Sequence, residues 1–373
     1  MDVKENLSNL RREIDQTDAE LIRLFDKRMK LVDNVGQIKT KGNLSITDES
    51  REEQVVLQAM ALSELENKSD AATFVRALIA ISKSRQVQTL MGSSIDFPPS
   101  GKKPAGAITA AYQGVPGAWG EHSAHTMFPE AELRQCEYFE EVFTDVKNGG
   151  AQFGVLPIEN YQTGAIGEVY DLLRTRSCYI TGQIWIPIKQ CLLAPKGAEL
   201  SGIREIYSHP EGFGQCRRFL KNRNWELVTC RNTAYAAKMV SESGSTRNAA
   251  IGSRRAAEVW GLDVLAPDIM DNHQNKTRFI AIAAEPLYDE TCGCTSVTFS
   301  TPHRSGALCA VLQSFMLYGI NLTRIESRPT LSGNRYRFFA DLQANILSEN
   351  TKEALSQASA LCEYFEILGC YRE

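Results

Sequence analysis

The sequence predicts a multidomain protein: an all-α unit, then an α/β unit, then a small α+β module. Three observations predict it. From Leu10 to Ile38 apolar residues recur at alternating spacings of three and four. From Ile108 to about residue 285, short apolar runs alternate with helical patterns. From residue 295 onward the order reads β-α-β-β-α-β. A chain of 373 residues has room for two or three domains and a sizeable core.

The first unit spans residues 1–92. Leu10, Ile14, Thr17, Leu21, Leu24, Arg28, Leu31, Val35 and Ile38 mark one amphipathic helix of roughly 30 residues, about 45 Å long. Such a helix is too long for a monomeric globule of this size and suggests an extended bundle or an intertwined dimer. Arg28 falls on the apolar stripe, where a charge needs a partner. Lys39 projects within roughly 20° of Arg28, whereas Arg11 points about 100° away. One helix cannot aim all three cations at one point; two antiparallel copies can. Asp48, Arg51 and Glu52 share a face at the start of a second helix, with Thr47 or Asp48 as its N-cap. Ser84 and Gln88 stand four residues apart on a third. Cations with amide, hydroxyl and carboxylate groups, and no His or Cys, suit a dicarboxylate that rearranges without proton transfer.

Residues 93–107 are rich in Pro, Gly, Ser and Lys and read as a flexible linker. In residues 108–285, strands are expected at Ile108–Tyr112, Phe153–Ile158, Ile203–Ser208, Trp225–Cys230 and Ala249–Gly252. Helices are expected at Glu168–Arg174, Gly214–Leu220, Ala234–Val240 and Arg255–Trp260, giving a mostly parallel sheet with helices on its faces. Polar residues follow the strands: Gln113-Gly114, Glu159-Asn160, Ser208-His209 and Ser253. Ligands of open α/β sheets bind at those ends. Thr163 and Ser208 precede helices whose free N–H groups can hold a carboxylate. The stretch Asn275-Lys276-Thr277-Arg278-Phe279 runs into the apolar Ile280–Ala283, so a hydroxyl, a guanidinium, an amine and an amide stand at the edge of a buried strand.

The last module, residues 295–373, is ferredoxin-like in order and carries no catalytic constellation. Ser305-Gly306-Ala307-Leu308 opens a helix with exposed N–H groups suited to an amino-acid carboxylate, and Glu326-Ser327-Arg328-Pro329 closes a strand.

Composition narrows the partners. A net charge of −4 argues against non-specific nucleic-acid binding. No apolar run approaches the ~20 residues of a membrane span, and the polar residues 1–9 do not read as a secretory leader. Ten scattered cysteines fit reduced thiols in a cytoplasmic protein. Neither His122 with His125 nor Cys292 with Cys294 completes a zinc pattern, so no metal is expected.

Three resemblances add to this. Leu10-Arg11-Arg12-Glu13-Ile14-Asp15, Arg28, Lys39, Asp48 to Glu52 and Ser84-x-x-x-Gln88 resemble the all-helical chorismate mutases over residues 6–92. That implies a domain-swapped dimer in which Arg11 crosses to the partner's site. Arg11 and Arg28 would bind the two carboxylates of chorismate, and Lys39 and Gln88 the ether oxygen. Glu52 and the Asp48 region would bind the hydroxyl end, with Arg51 and Ser84 completing the pocket.

Tyr112-Gln113-Gly114-x-x-Gly117, Gly154 to Asn160, Val169 to Leu173, Ser208-His209-Pro210, Asn232-Thr233-Ala234 and Asn275 to Phe279 resemble prephenate dehydratase along the whole segment. Its fold implies two α/β subdomains with the site in the cleft between them. Thr277 would be the key catalytic residue and Glu159 the other proton-donor candidate. Asn160, Thr163, Ser208, Gln215 and Arg278 would hold substrate. The chemistry implied by this resemblance needs no cofactor. Tyr161 and Glu211 depart from that family's pattern, which commonly has Ser or Thr and Gln there.

Gly306-Ala307-Leu308, Asn321-Leu322 and Glu326-Ser327-Arg328-Pro329 resemble the ACT domain. It implies feedback inhibition by phenylalanine bound at a domain dimer interface. Together the resemblances imply a bifunctional enzyme of phenylalanine biosynthesis, acting on chorismate and prephenate as a homodimer or higher homo-oligomer. Its rivals are an arogenate dehydratase with a mutase domain, and a non-catalytic amino-acid sensor.

Overall fold

The computed structural model describes residues 3–42, 44, 48–91, 99–101, 106–330 and 335–372, leaving aside the side chains of residues 40, 49, 84, 87–91 and 176. The first three helices are α1 (Val3–Lys41), α2 (Glu49–Leu62) and α3 (Lys68–Met91). Next come β1 (Thr109–Gln113), α4 (Trp119–Met127), β2 (Glu132–Cys136), α5 (Phe139–Lys147), β3 (Phe153–Asn160), β4 (Gly164–Ala165), α6 (Gly167–Arg176), β5 (Tyr179–Pro187) and β6 (Cys191–Ala194). They are followed by β7 (Glu205–Ser208), α7 (Pro210–Gln215), α8 (Arg217–Leu220), β8 (Glu226–Thr229), α9 (Thr233–Ser243), β9 (Asn248–Gly252), α10 (Arg254–Trp260), β10 (Asp263–Ala266) and β11 (Lys276–Ala283). The last elements are β12 (Cys294–Ser300), α11 (Ala307–Leu317), β13 (Leu322–Pro329), β14 (Tyr336–Leu342), α12 (Glu349–Ala360) and β15 (Tyr364–Tyr371).

Two compact units form, and each gathers separate stretches of chain. One holds α1–α3 together with α11 and α12. Within it α3 packs against α1, α2 and α12. The 39-residue α1 outruns the expected 30, because nothing breaks it before Gly42. Among its described side chains it buries only Met29, Val32 and Gly36. At Gly36 an added Cβ would stand 3.4 Å from Gln86, so this glycine sets how closely α1 and α3 cross. Asp33 and Arg85 fasten the same pair of helices through bonds of 2.6 and 2.9 Å.

The other unit builds its first lobe on a sheet of order β2-β1-β3-β11-β5, with β4 on β3. Its second lobe is a sheet of order β10-β6-β9-β7-β8. Neither sheet is mostly parallel, contrary to the expectation. The chain leaves the first lobe after β5, builds the second, and returns as β11. Entering from the far end, β11 lies antiparallel between β3 and β5. In the second lobe β6 runs antiparallel to β9 and β10. Fully buried Val142, Phe143, Leu156, Val169 and Ile280 fill the first lobe's core, each contributing about 1.5–3 kcal/mol by leaving water. The expected strands occur, the expected helix Gly214–Leu220 is split at Cys216 into α7 and α8, Thr163 precedes β4 rather than a helix, and α4, α5, β2, β4, β5, β6 and β10 come in addition.

The loop before α4 reaches across to the second lobe. Val115 and Ala118 pack on Ala234, and the buried Ser253 hydroxyl donates to the Gly117 carbonyl at 3.2 Å. Gly117 has φ +88°, and a Cβ there would meet Ala256 Cα at 2.8 Å, so only glycine lets the lobes close. The linker falls largely outside the described residues; where described, Gly101 donates to the Pro286 carbonyl at 2.7 Å and Ser100 to Tyr288 at 2.8 Å.

The third sheet has the order β13-β14-β12-β15. Its strand sequence and spatial order are those of the β-α-β-β-α-β motif. Among the described residues no helix is long and apolar enough to cross a membrane.

Candidate active sites

Strand pairing creates the centre of the α/β unit. Thr277 of β11 lies opposite Asn160 of β3, and both are 8% exposed. Asn160 is held at both ends. Its Oδ1 accepts from the Gln162 and Thr163 amides at 3.0 and 3.1 Å and from the Thr163 hydroxyl at 3.3 Å. Those donors fix which way the amide faces. Its Nδ2 therefore donates to Thr277 Oγ1 at 2.9 Å and to Asn275 Oδ1 at 3.0 Å. Because Thr277 Oγ1 accepts from Asn160, its own proton is left to donate elsewhere.

Two chain crossings between the lobes meet beside this centre. Ile188 donates its amide to the Asn275 carbonyl at 2.9 Å. Gln190, buried two residues on, donates to Gln215 Oε1 of the second lobe at 3.1 Å. Gln215 is thus tied toward Thr277 through the crossings. Ser208 is fully buried and donates to the Ile251 carbonyl at 3.4 Å, outside the Asn160 cluster. Gln190 carries no sequence signal, since a glutamine after an apolar strand reads as a strand exit. Cys216, next to Gln215, is no nucleophile: burial pushes its thiol up to about 12. Tyr161 is 60% exposed, with the Lys276 amine 6.0 Å from its ring.

Glu159 and Arg278 require a correction. Neighbours along a strand face opposite ways, so the pair Glu159–Arg278 looks away from the pair Asn160–Thr277. Both line a separate cavity of about 540 Å³ with Trp185, Arg324 and Asp341. Glu159 accepts from Arg324 at 3.0 Å. Arg278 donates to Asp341 Oδ2 at 2.6 Å and to the Tyr371 hydroxyl at 3.1 Å. Burial alone would lower the guanidinium's pKa, but Asp341 and the other partners outweigh it and the net shift is upward. Both side chains are engaged on that face rather than at the Asn160–Thr277 pair.

In the helical unit Arg28 donates to Ser82 Oγ at 2.5 Å and the Leu78 carbonyl at 3.4 Å. Burial lowers its pKa. Glu52 pairs with Lys83 at 2.5 Å. Ser82 and Lys83 were invisible in sequence because an α3 register was needed to aim them. Asp48, not Thr47, caps α2, accepting from the Arg51 amide at 3.0 Å; Thr47 lies outside the described residues. Arg51 is exposed, Lys39 half-buried, and Arg11 exposed far along α1. The side chains of Ser84 and Gln88 lie outside the described residues. A cleft of about 570 Å³ in this unit is lined by Glu52, Lys83, Gly306, Ala307 and Cys309. It places a predicted mutase residue and two predicted regulatory residues on one cavity.

Gly306 caps α11 in the left-handed conformation, with Ala307 buried and Leu308 half-buried behind it. In the other unit Asn321 precedes β13 and bonds Gln343 at 3.3 Å. Glu326, Ser327 and Arg328 lie on β13. Arg328 sits against Gly167 and 3.7 Å from Asp171 of α6.

The chain thus carries a helical unit built round a half-buried arginine and a two-lobed α/β unit with a hydroxyl–amide centre, the kind of architecture two linked enzyme domains would have. The chorismate mutase type II family model matches residues 10–87, and the prephenate dehydratase model residues 110–287. The bifunctional chorismate mutase/prephenate dehydratase of Buchnera aphidicola from Schizaphis graminum is 31% identical over 100% of this chain and 97% of its own length. The arogenate dehydratase/prephenate dehydratase 1 of Arabidopsis thaliana is 36% identical over 71% of this chain and 72% of its own. Among solved structures, prephenate dehydratase from Arthrobacter aurescens in complex with L-Phe superposes with a TM-score of 0.66 at 29% identity, covering 71% of this chain and 90% of that one. The chain belongs to the family of bifunctional chorismate mutase/prephenate dehydratases.

Proposed function

We propose that the chain rearranges chorismate to prephenate in residues 6–92 and converts prephenate to phenylpyruvate in residues 108–285, with residues 295–373 acting as an ACT-type phenylalanine sensor. The observation that carries the dehydratase assignment is the locked amide of Asn160, which leaves the Thr277 proton free to donate. Prephenate loses its ring carboxylate as CO₂ while the C–O bond to the ring hydroxyl breaks. The electron pair of the carboxylate bond completes the aromatic ring, and the departing hydroxide takes up one proton to leave as water. Thr277 donates a hydrogen bond to that hydroxyl and relays the proton. Thr163 and Asn160 line the same pocket, with Gln215 contributed by the second lobe and Ser208 buried behind it, bonded to Ile251.

In the mutase unit Arg28 and Lys39 of one chain and Arg11 of a second hold the dicarboxylate, with Asp48, Arg51, Glu52, Ser84 and Gln88 completing the pocket. No covalent step is required; positioning and charge stabilisation suffice. The homodimer is supported by α1, whose Leu10, Ile14, Leu21, Leu24, Leu31, Val35 and Ile38 are all 43–66% exposed. An apolar face of that extent needs a partner. Gly306, Ala307, Leu308, Asn321, Glu326, Ser327 and Arg328 are the proposed phenylalanine contacts.

The test incubates the purified chain with chorismate and follows its loss and the appearance of prephenate and phenylpyruvate, with and without millimolar phenylalanine. Sequential appearance of both products, slowed by phenylalanine, is expected. Stable chorismate, or prephenate that accumulates without phenylpyruvate, overturns the corresponding half. Supplying arogenate in place of prephenate tests the amino-substrate reading that the Arabidopsis relative's name raises.

A further inference from the structure

Arg278 stands one residue from Thr277 yet belongs to a different environment. It is 5% exposed, and both terminal nitrogens are engaged by residues from the third sheet. Asp341 Oδ1 accepts from Ser296 at 2.5 Å, and the Ser296 and Tyr371 hydroxyls are 2.6 Å apart. The cluster joins β11 to β12, β14 and β15, and its partners lie 63 and 93 residues from Arg278 in sequence. Glu159 adds a second, looser charge at 3.9 Å, itself paired to Arg324.

The cluster sits at an irregularity in the pairing of β11 with β3, while the pairing with β5 stays regular from Lys276 to Ala281. Pairing with β3 is regular at Thr277↔Asn160 and Arg278↔Glu159, then shifts between Arg278 and Phe279, which faces Pro157. A bulge is a point where a strand can change register, and a slip of one residue exchanges its two faces. On the β3 side a slip would turn Thr277 away from Asn160, and the regular β5 pairing and the Arg278 cluster both oppose it.

We propose that Arg278 is a positioning residue: clamped by Asp341 and Tyr371, it pins β11 at the bulge so that Thr277 faces Asn160, and the C-terminal sheet is thereby a working part of the dehydratase centre. This rests on the assignment of Thr277 and Asn160 to that centre. The clamp is charged and bidentate in reach, so lysine reproduces its charge but not its two-point hold.

The test uses the full chain carrying Asp341→Asn, Arg278→Lys, Arg278→Met, or the apolar pair Arg278→Met/Asp341→Leu. The last replaces a buried ion pair by packing side chains, a change that often preserves folding. A fall of about ten- to hundredfold in dehydratase kcat is expected for Asp341→Asn and Arg278→Met. The prephenate KM should stay within about twofold, the loss falling on the transition state. Arg278→Lys should recover part of the rate, and mutase turnover in the same preparations should stay unchanged. The apolar pair should fold, by its cooperative melting, and still lose dehydratase kcat. Wild-type kcat in the folded apolar pair overturns the proposal, as does a kcat loss matched by loss of folded protein in every variant. Thr277→Ala is run alongside: if it keeps its dehydratase rate, the reading of the centre has failed, whereas an inactive Thr277→Ala beside fully active clamp variants sinks the clamp alone.

Discussion

Around Thr277 the buried Asn160, Asn275 and Thr277 are bonded to one another within one chain, and Asn160 also engages the exposed Thr163. In the helical unit Arg28 and Glu52 have found partners on α3, while Arg11 lies exposed on an α1 whose apolar face is exposed with it. The difference teaches what each site needs. A centre whose polar groups are already desolvated and bonded to one another is pre-organised and asks only for substrate. A site with one cation stranded along a helix asks for a second chain before it asks for substrate.

The largest expected effect separates the two regions outright. Thr277→Ala removes the hydroxyl that receives Asn160's amide, and dehydratase turnover should fall by about a hundredfold or more. Mutase turnover in the same protein should stay within about twofold, because the mutase groups lie in the other unit. Thr277→Ser should restore much of the dehydratase rate. Loss of both activities in a folded Thr277→Ala would mean the regions are not separate sites.

The next effect tests the need for a second chain. Arg11→Ala and Lys39→Ala should each lower mutase turnover by orders of magnitude. Mixed and re-equilibrated, the two variants form a hybrid in which one site has both native residues and the other neither. Mutase activity should return to about a quarter of wild type if chains pair at random. A site built within one chain would recover nothing on mixing, and that result would break the comparison.

Legibility in the sequence followed the range of the forces involved. The 3-4 spacing of α1 and the alternation of strands and helices are local patterns, and they read directly. Thr277, Asn160 and Thr163 were singled out through the resemblance to prephenate dehydratase rather than by pattern, and strand pairing brings them together. Glu159 was expected just after its strand and Arg278 at a strand's edge, whereas both lie within β3 and β11 and alternate in direction with Asn160 and Thr277. Only the pairing of β11 with β3 shows which side carries Thr277. Asp341, Tyr371 and Gln190 were illegible for a related reason: each sits in an ordinary strand or strand exit, and its partner lies tens of residues away. The antiparallel insertion of β11 between β3 and β5 was missed because the chain must leave the lobe and return to make it.

The smallest effect concerns the fastening of α1 to α3, on which the helical site is mounted. The hydrogen bonds from Arg85 hold the Asp33 carboxyl below the usual carboxylate range; its slight burial opposes this, and the nearby Arg85 charge adds to it. A depressed folded pKa means the unfolded chain binds the proton more readily. The contribution is therefore complete above the unfolded value near 4 and fades as pH falls through the lower folded value. Both side chains are partly exposed, so solvent screens the pair to about 1 kcal/mol or less. Asp33→Asn should accordingly lower the melting temperature of the helical unit by at most a few degrees at pH 7. Melted side by side with the native chain at pH 3, the variant should differ less. Mutase turnover at neutral pH should be untouched, since Asp33 fastens the helices and binds no substrate. A difference that widens with acid would mean that Asp33 is protonated more readily in the folded chain than in the unfolded one. That would place the fastening of α1 to α3 in the apolar contacts of Met29 and Val32.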